Sequence, residues 1–162
     1  MDLDTSTTSA PEPFTRAPTG TGYTAIFSTN LAFAALKADG SITAWGAPTY
    51  GGATGPSVDT DMFTIAPTGT GYTTIYSTSG AFAALKADGS ITAWGNKELG
   101  GAMALGTSTT SAPELFTRAP PGTGYTAIFS TQGAFAALKP DGSITSWGNP
   151  RFGGATGPSV DT

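Results

Sequence analysis

Apolar and polar positions along this chain fall into short runs of strand length, and the same runs return three times. Tyr23–Ser28 (Tyr-Thr-Ala-Ile-Phe-Ser) is rich in β-branched and aromatic residues and reads as a strand. Ala32–Lys37 and Ile42–Trp45 read as two more. Both faces of the central run are apolar, with Phe33 and Ala35 on one side and Ala32, Ala34 and Leu36 on the other. An antiparallel strand of that kind is sandwiched between neighbouring sheets, and its many alanines let those sheets approach closely. No sustained apolar pattern at helical spacing occurs, and Gly or Pro punctuates every connection. The pattern predicts an all-β chain.

Between the second and third runs lies Lys37-Ala38-Asp39-Gly40-Ser41. In the third copy the residue matching Ala38 is Pro140, which suits the first central position of a type I turn because its φ is already near −65°. Gly40, Gly89 and Gly142 then take the left-handed position of a hairpin with a G1 bulge.

The repeat cores are Gly22–Gly46, Gly71–Gly95 and Gly124–Gly148. The first differs from the second at four positions and from the third at four, and the copies start 49 (71 − 22) and 53 (124 − 71) residues apart. A strand-patterned repeat of that length cannot bury its own apolar surface, so copies must stack on one another. We therefore read residues 1–162 as one repeat domain. The expected architecture is a set of tandem antiparallel blades of a β-propeller, three per chain, completed by oligomerisation or by a longer array. A β-trefoil is the alternative, since three repeats of this length match its threefold build.

Two linker types alternate between the copies, and each holds a short apolar segment, Met62–Ile65 or Leu115–Thr117. Their flanking prolines fit an outer edge strand. Thr5–Glu12 matches Thr107–Glu114, and Gly153–Thr162 matches Gly51–Thr60. The expectation is that residues after Gly153 on one chain meet those before Gly22 on the next.

Composition narrows the chemistry. The chain has no Cys and no His, so disulfides, thiolate metal sites and a serine–histidine triad are excluded. Charged residues make up 11% and the net charge is −4. The seven bases are scattered, and Lys37, Lys86 and Lys139 are one repeat position, so no basic patch for nucleic acid is expected. No run reaches the apolar length of a membrane span, and the N-terminal residues carry no signal-peptide pattern. Gly20-Thr-Gly22-Tyr lacks the third glycine of a dinucleotide fingerprint.

Trp45, Trp94 and Trp147 share one repeat position and suit core closure better than an aromatic ligand cage. Asp39, Asp88 and Asp141 precede a turn glycine, which accounts for them without catalysis. Glu12, Glu98 and Glu114 form no recurring constellation, and Asp59-Thr60-Asp61 lacks the rest of a calcium loop. No catalytic, cofactor or metal residues are expected, and the chain is not read as an enzyme.

The phrase Ala-Leu-Lys-Ala-Asp-Gly-Ser-Ile-Thr-Ala-Trp-Gly resembles the repeat of the regulator of chromosome condensation family, and Trp94-Gly95-Asn96 with Leu99-Gly100 extends the likeness. It covers all three copies, about half of the chain. The resemblance implies a β-propeller, commonly of seven four-stranded blades, with roles in guanine-nucleotide exchange, light perception in plants or β-lactamase inhibition, and no enzymatic activity of its own. Three departures stand against it. The family's usual His is replaced by Ala32, Ala81 and Ala134, the Gly-Gln-Leu-Gly signature survives only as Gly-Gly, and three blades are too few to close a ring.

Copies differ where a constant frame would carry variable contacts. Tyr50, Lys97, Glu98, Arg151 and Phe152 follow each Trp-Gly and are the partner-binding candidates. The expected function is a non-catalytic repeat module in protein–protein binding or structural assembly, self-associating as a homodimer or higher. The expected setting is a secreted or surface protein. A small-molecule or carbohydrate-binding trefoil is the alternative.

Overall fold

The hairpin turns organise the structure. In the computed structural model, which describes residues 15–54, 63–102 and 116–155, the Gly40 amide bonds the Lys37 carbonyl at 2.9 Å, and the Lys37 amide bonds that of Ser41 at 3.0 Å. Gly40 has φ 84° and the matched Gly89 and Gly142 have 84° and 88°. These are the hairpin hydrogen bonds and the left-handed glycine that the sequence predicts.

Each turn joins the second and third strands of a sheet. The first sheet is β1 (Tyr23–Ser28), β2 (Ala32–Lys37) and β3 (Ile42–Gly46) in that order, all antiparallel. The second repeats it with β5 (Tyr72–Ser77), β6 (Ala81–Lys86) and β7 (Ile91–Asn96), and β4 (Phe63–Thr64) pairs with β7 on the outside. The third is β8 (Ala127–Ser130), β9 (Ala134–Leu138) and β10 (Ile144–Gly148). Among the described residues the sheets have three or four strands and no α-helix occurs.

The outer position is filled by the segment that precedes each repeat. Phe63–Thr64 is a strand, whereas Thr15 and Thr117 make single bridges to Gly46 and Gly148. The two predicted outer segments, Met62–Ile65 and Leu115–Thr117, are thus partly seen, since Met62 and Leu115 lie outside the described residues. The Thr64 hydroxyl holds this edge by donating to the Gly101 carbonyl at 2.6 Å, and Thr15 and Thr117 do the same to Gly52 and Gly154.

Apolar faces of successive sheets pack on one another. Ala32, Ala34, Leu36, Ile42 and Ala44 of the first sheet meet Tyr72, Ile75, Phe82, Ala84 and Trp94 of the second. The opposite face of the second sheet, including Ala81, Ala83 and Leu85, meets Tyr125, Ile128, Phe135, Ala137 and Trp147 of the third. Every residue of β6 but its terminal Lys86 is buried. The two-sided burial expected of the central strand is therefore complete in the middle repeat and half complete at the ends.

No sheet is shared between repeats among the described residues. A trefoil needs strands of all three repeats in a common barrel, so that alternative does not fit this arrangement. Nor do the three sheets close into a ring, because the first and last each leave one face uncovered.

Candidate functional site

Each Trp-Gly is followed by one turn of 3-10 helix, at Pro48–Tyr50, Lys97–Leu99 and Pro150–Phe152. Asn96 and Asn149 cap the second and third by accepting from the Glu98 and Arg151 amides, both at 2.9 Å. Thr29, Thr78 and Thr131 donate to the last carbonyls of these turns, at 3.0, 2.8 and 2.8 Å. All five partner-binding candidates sit on these turns.

They do not form one surface. Tyr50 is half-buried and packs against the first core cluster. Lys97 departs furthest from the expectation of an exposed contact, since its side chain is fully enclosed. Glu98 and Arg151 are exposed and line one groove with Asn149 and Pro150. Phe152 faces a different groove, with Phe129 and Gly153. The sequence could not separate them, because burial here depends on each residue's place in its turn as well as on which repeat lies beside it.

The tryptophans take the core role. Phe82 stacks on Trp94 and Phe135 on Trp147, each with ring centroids 5.2 Å apart, and both pairs are buried. Phe33 and Trp45 stack in the same way at 5.4 Å, yet Phe33 is 45% exposed. The turn aspartates are likewise structural. The Ser41 hydroxyl and amide hold the Asp39 carboxyl below its ordinary pKa, and the Ser90 and Ser143 amides and hydroxyls do so for Asp88 and Asp141. A carboxylate kept ionised in this way is a poor proton shuttle.

Tyr23, Tyr72 and Tyr125 carry a further repeated cluster that the sequence reading passed over. Each hydroxyl is hydrogen-bonded to a threonine, Thr43, Thr92 or Thr145, at 3.0, 2.8 and 3.1 Å. A lysine ammonium lies over each ring, at 4.9, 4.8 and 4.7 Å from the centroid. No cluster of three metal-ligating side chains occurs among the described residues. Glu12, Glu114 and Asp59-Thr60-Asp61 lie outside them. No helix among the described residues is long and apolar enough to cross a membrane.

The largest chemical features left are the two outer faces of the stack. On the first sheet Ile26 is 61% exposed, whereas the matched Ile75 and Ile128 are each at 2%. On the last sheet Phe129 and Ile144 are similarly open and line two apolar grooves of about 250 and 210 Å³. Equivalent residues are core in one repeat and surface in another, a difference set by neighbours and absent from the repeat's own sequence. Comparison with protein-family models, curated proteins and solved structures finds no match to this chain.

Proposed function

We propose that this chain is a non-catalytic repeat module that works by protein–protein contact, chiefly structural assembly with itself. The observation that carries the reading is the pair of uncovered apolar sheet faces, which bear Ile26 and Phe33 at one end and Phe129 and Ile144 at the other. Contiguous exposed apolar surface marks an interaction site.

On this reading the three sheets are blades of the propeller type, as the resemblance to the regulator of chromosome condensation family implies. Three blades fall short of the four to eight that close such a ring, so further blades come from other chains or from a longer array. The low charge and the Thr-rich, Cys-free composition suit a structural protein of a cell surface or secreted material. Sedimentation across micromolar concentrations tests the reading. Reversible association beyond the chain mass is expected, and a monomer throughout, with no rise in sedimentation coefficient, overturns self-assembly.

A further inference from the structure

We infer that the two end faces are the two halves of one interface, so that a second copy of this chain docks head to tail in the register already used between its own repeats. This rests on the reading of the chain as a self-assembling module and specifies its geometry.

The internal boundaries supply the template. At the first, the amides of Gly71 and Tyr72 donate to the Asp39 and Gly40 carbonyls at 3.0 and 3.2 Å. At the second, Gly124 and Tyr125 donate to Asp88 and Gly89 at 2.9 and 3.2 Å. The Trp94 indole donates back to Gly51, and that of Trp147 to Gly100, at 3.1 and 3.0 Å. A second row runs the opposite way: Asn30 donates to Ser79, and Ser79 to Gln132, both at 2.9 Å.

The same atoms stand open at the ends. Among the described residues the amides of Gly22 and Tyr23, which match Gly71 and Tyr72, meet no hairpin turn of a neighbouring sheet, and the Trp45 indole has no acceptor. At the other end the Asp141 and Gly142 carbonyls accept from no amide of a following sheet among the described residues. Steric fit agrees with the hydrogen bonding. A Cβ on Gly51 would meet the Phe82 ring and one on Gly100 the Phe135 ring, while Gly153 faces empty space. Phe33, half-exposed on the first sheet, is the residue that fills the matched place in a following copy.

Complementarity also selects the orientation. The front face offers three donors (the Gly22 and Tyr23 amides and the Trp45 indole) and one acceptor, the Asn30 carbonyl. The rear face offers the converse, with the Asp141, Gly142 and Gly153 carbonyls and the Gln132 amide. Front against front would set donors on donors and leave buried backbone groups unpaired. Front against rear satisfies all four, which makes the contact heterologous, closing as a ring or continuing as a filament.

Cysteine cross-linking tests this in a chain that has no native cysteine. Asn30→Cys and Gln132→Cys are placed in separate chains, mixed at micromolar concentration and treated with a short bis-maleimide. Cross-linked dimer in the mixture at more than tenfold the yield of either variant alone is the expected result. Asn30→Cys/Ser79→Cys in one chain should cross-link internally, and failure there would remove the template and the inference with it. Dominant cross-linking of either single variant to itself, or oligomers that form without the mixed cross-link, overturns the register while leaving self-assembly standing. A monomer by sedimentation overturns both.

Discussion

The Trp94 indole donates to the carbonyl of Gly51 across the boundary between the first and second repeats, at 3.1 Å. Gly51 closes the 3-10 turn of the first repeat with φ 97°, so the bond ties the core of one sheet to the turn of its predecessor. Trp94→Phe keeps an aromatic ring but removes the N–H together with the five-membered ring that carries it, so a small cavity adds to the lost hydrogen bond. It should cost about 1 kcal/mol or more, because a buried carbonyl loses its partner. Urea denaturation of Trp94→Phe and Trp45→Phe at high dilution checks this, with the smaller loss expected at Trp45.

Turn glycines should differ by position although their backbone is the same. Alanine at Gly40 or Gly89 meets both a left-handed φ and a collision with the backbone of the next repeat, Gly71–Tyr72 or Gly124–Tyr125. At Gly142 the φ strain of roughly 1–3 kcal/mol remains, but space is open. Thermal melts of dilute protein should place Gly40→Ala and Gly89→Ala below Gly142→Ala. Equal losses would show that repeat contact adds nothing.

Ala38→Pro and Ala87→Pro should be neutral or stabilising by about 0.4–1 kcal/mol, through reduced freedom of the unfolded chain. The motive is Pro140, which occupies the matched turn position in the third hairpin. A lowered denaturation midpoint for either variant would contradict the shared turn geometry.

The serine contacts lower the pKa of Asp39, Asp88 and Asp141, so folding favours their ionised form. Their contribution is therefore fully present above the unfolded carboxylate pKa and fades as pH falls through the lower folded value. Ser41→Ala should move the Asp39 titration upward towards ordinary, as read by carboxyl-carbon NMR. An unchanged Asp39 titration would mean that the Ser41 hydroxyl does not stabilise the carboxylate.

The strands were legible because each obeys a local rule. Tyr23–Ser28 and Ala32–Lys37 appear with the bounds their β-branched and aromatic content predicts, and Asp39-Gly40 forms its turn from chemistry held within five residues. The outer strand was legible only in part, since Phe63–Thr64 is short and owes its place to Thr64 reaching Gly101. The partner surface was not legible. Lys97 and Arg151 sit at nearby positions on matched turns, yet one is enclosed and the other exposed. They hold different places in the turn, since Arg151 matches the exposed Glu98 and Lys97 matches Pro150, and the repeat's own sequence does not mark which place is enclosed.

The opposed rows of hydrogen bonds between repeats give the stack a beginning and an end that are chemically unlike. If copies dock in the inferred register, growth at each end recruits a different face of the incoming chain, and the two ends can be poisoned separately. A variant with its rear face blocked still adds to a rear end and terminates it. In an open filament a small molar fraction of such a variant shortens the whole population. In a closed ring of few chains it removes assemblies only in proportion to its amount. The dose dependence of that poisoning thus reports whether these repeats curve back on themselves or run on.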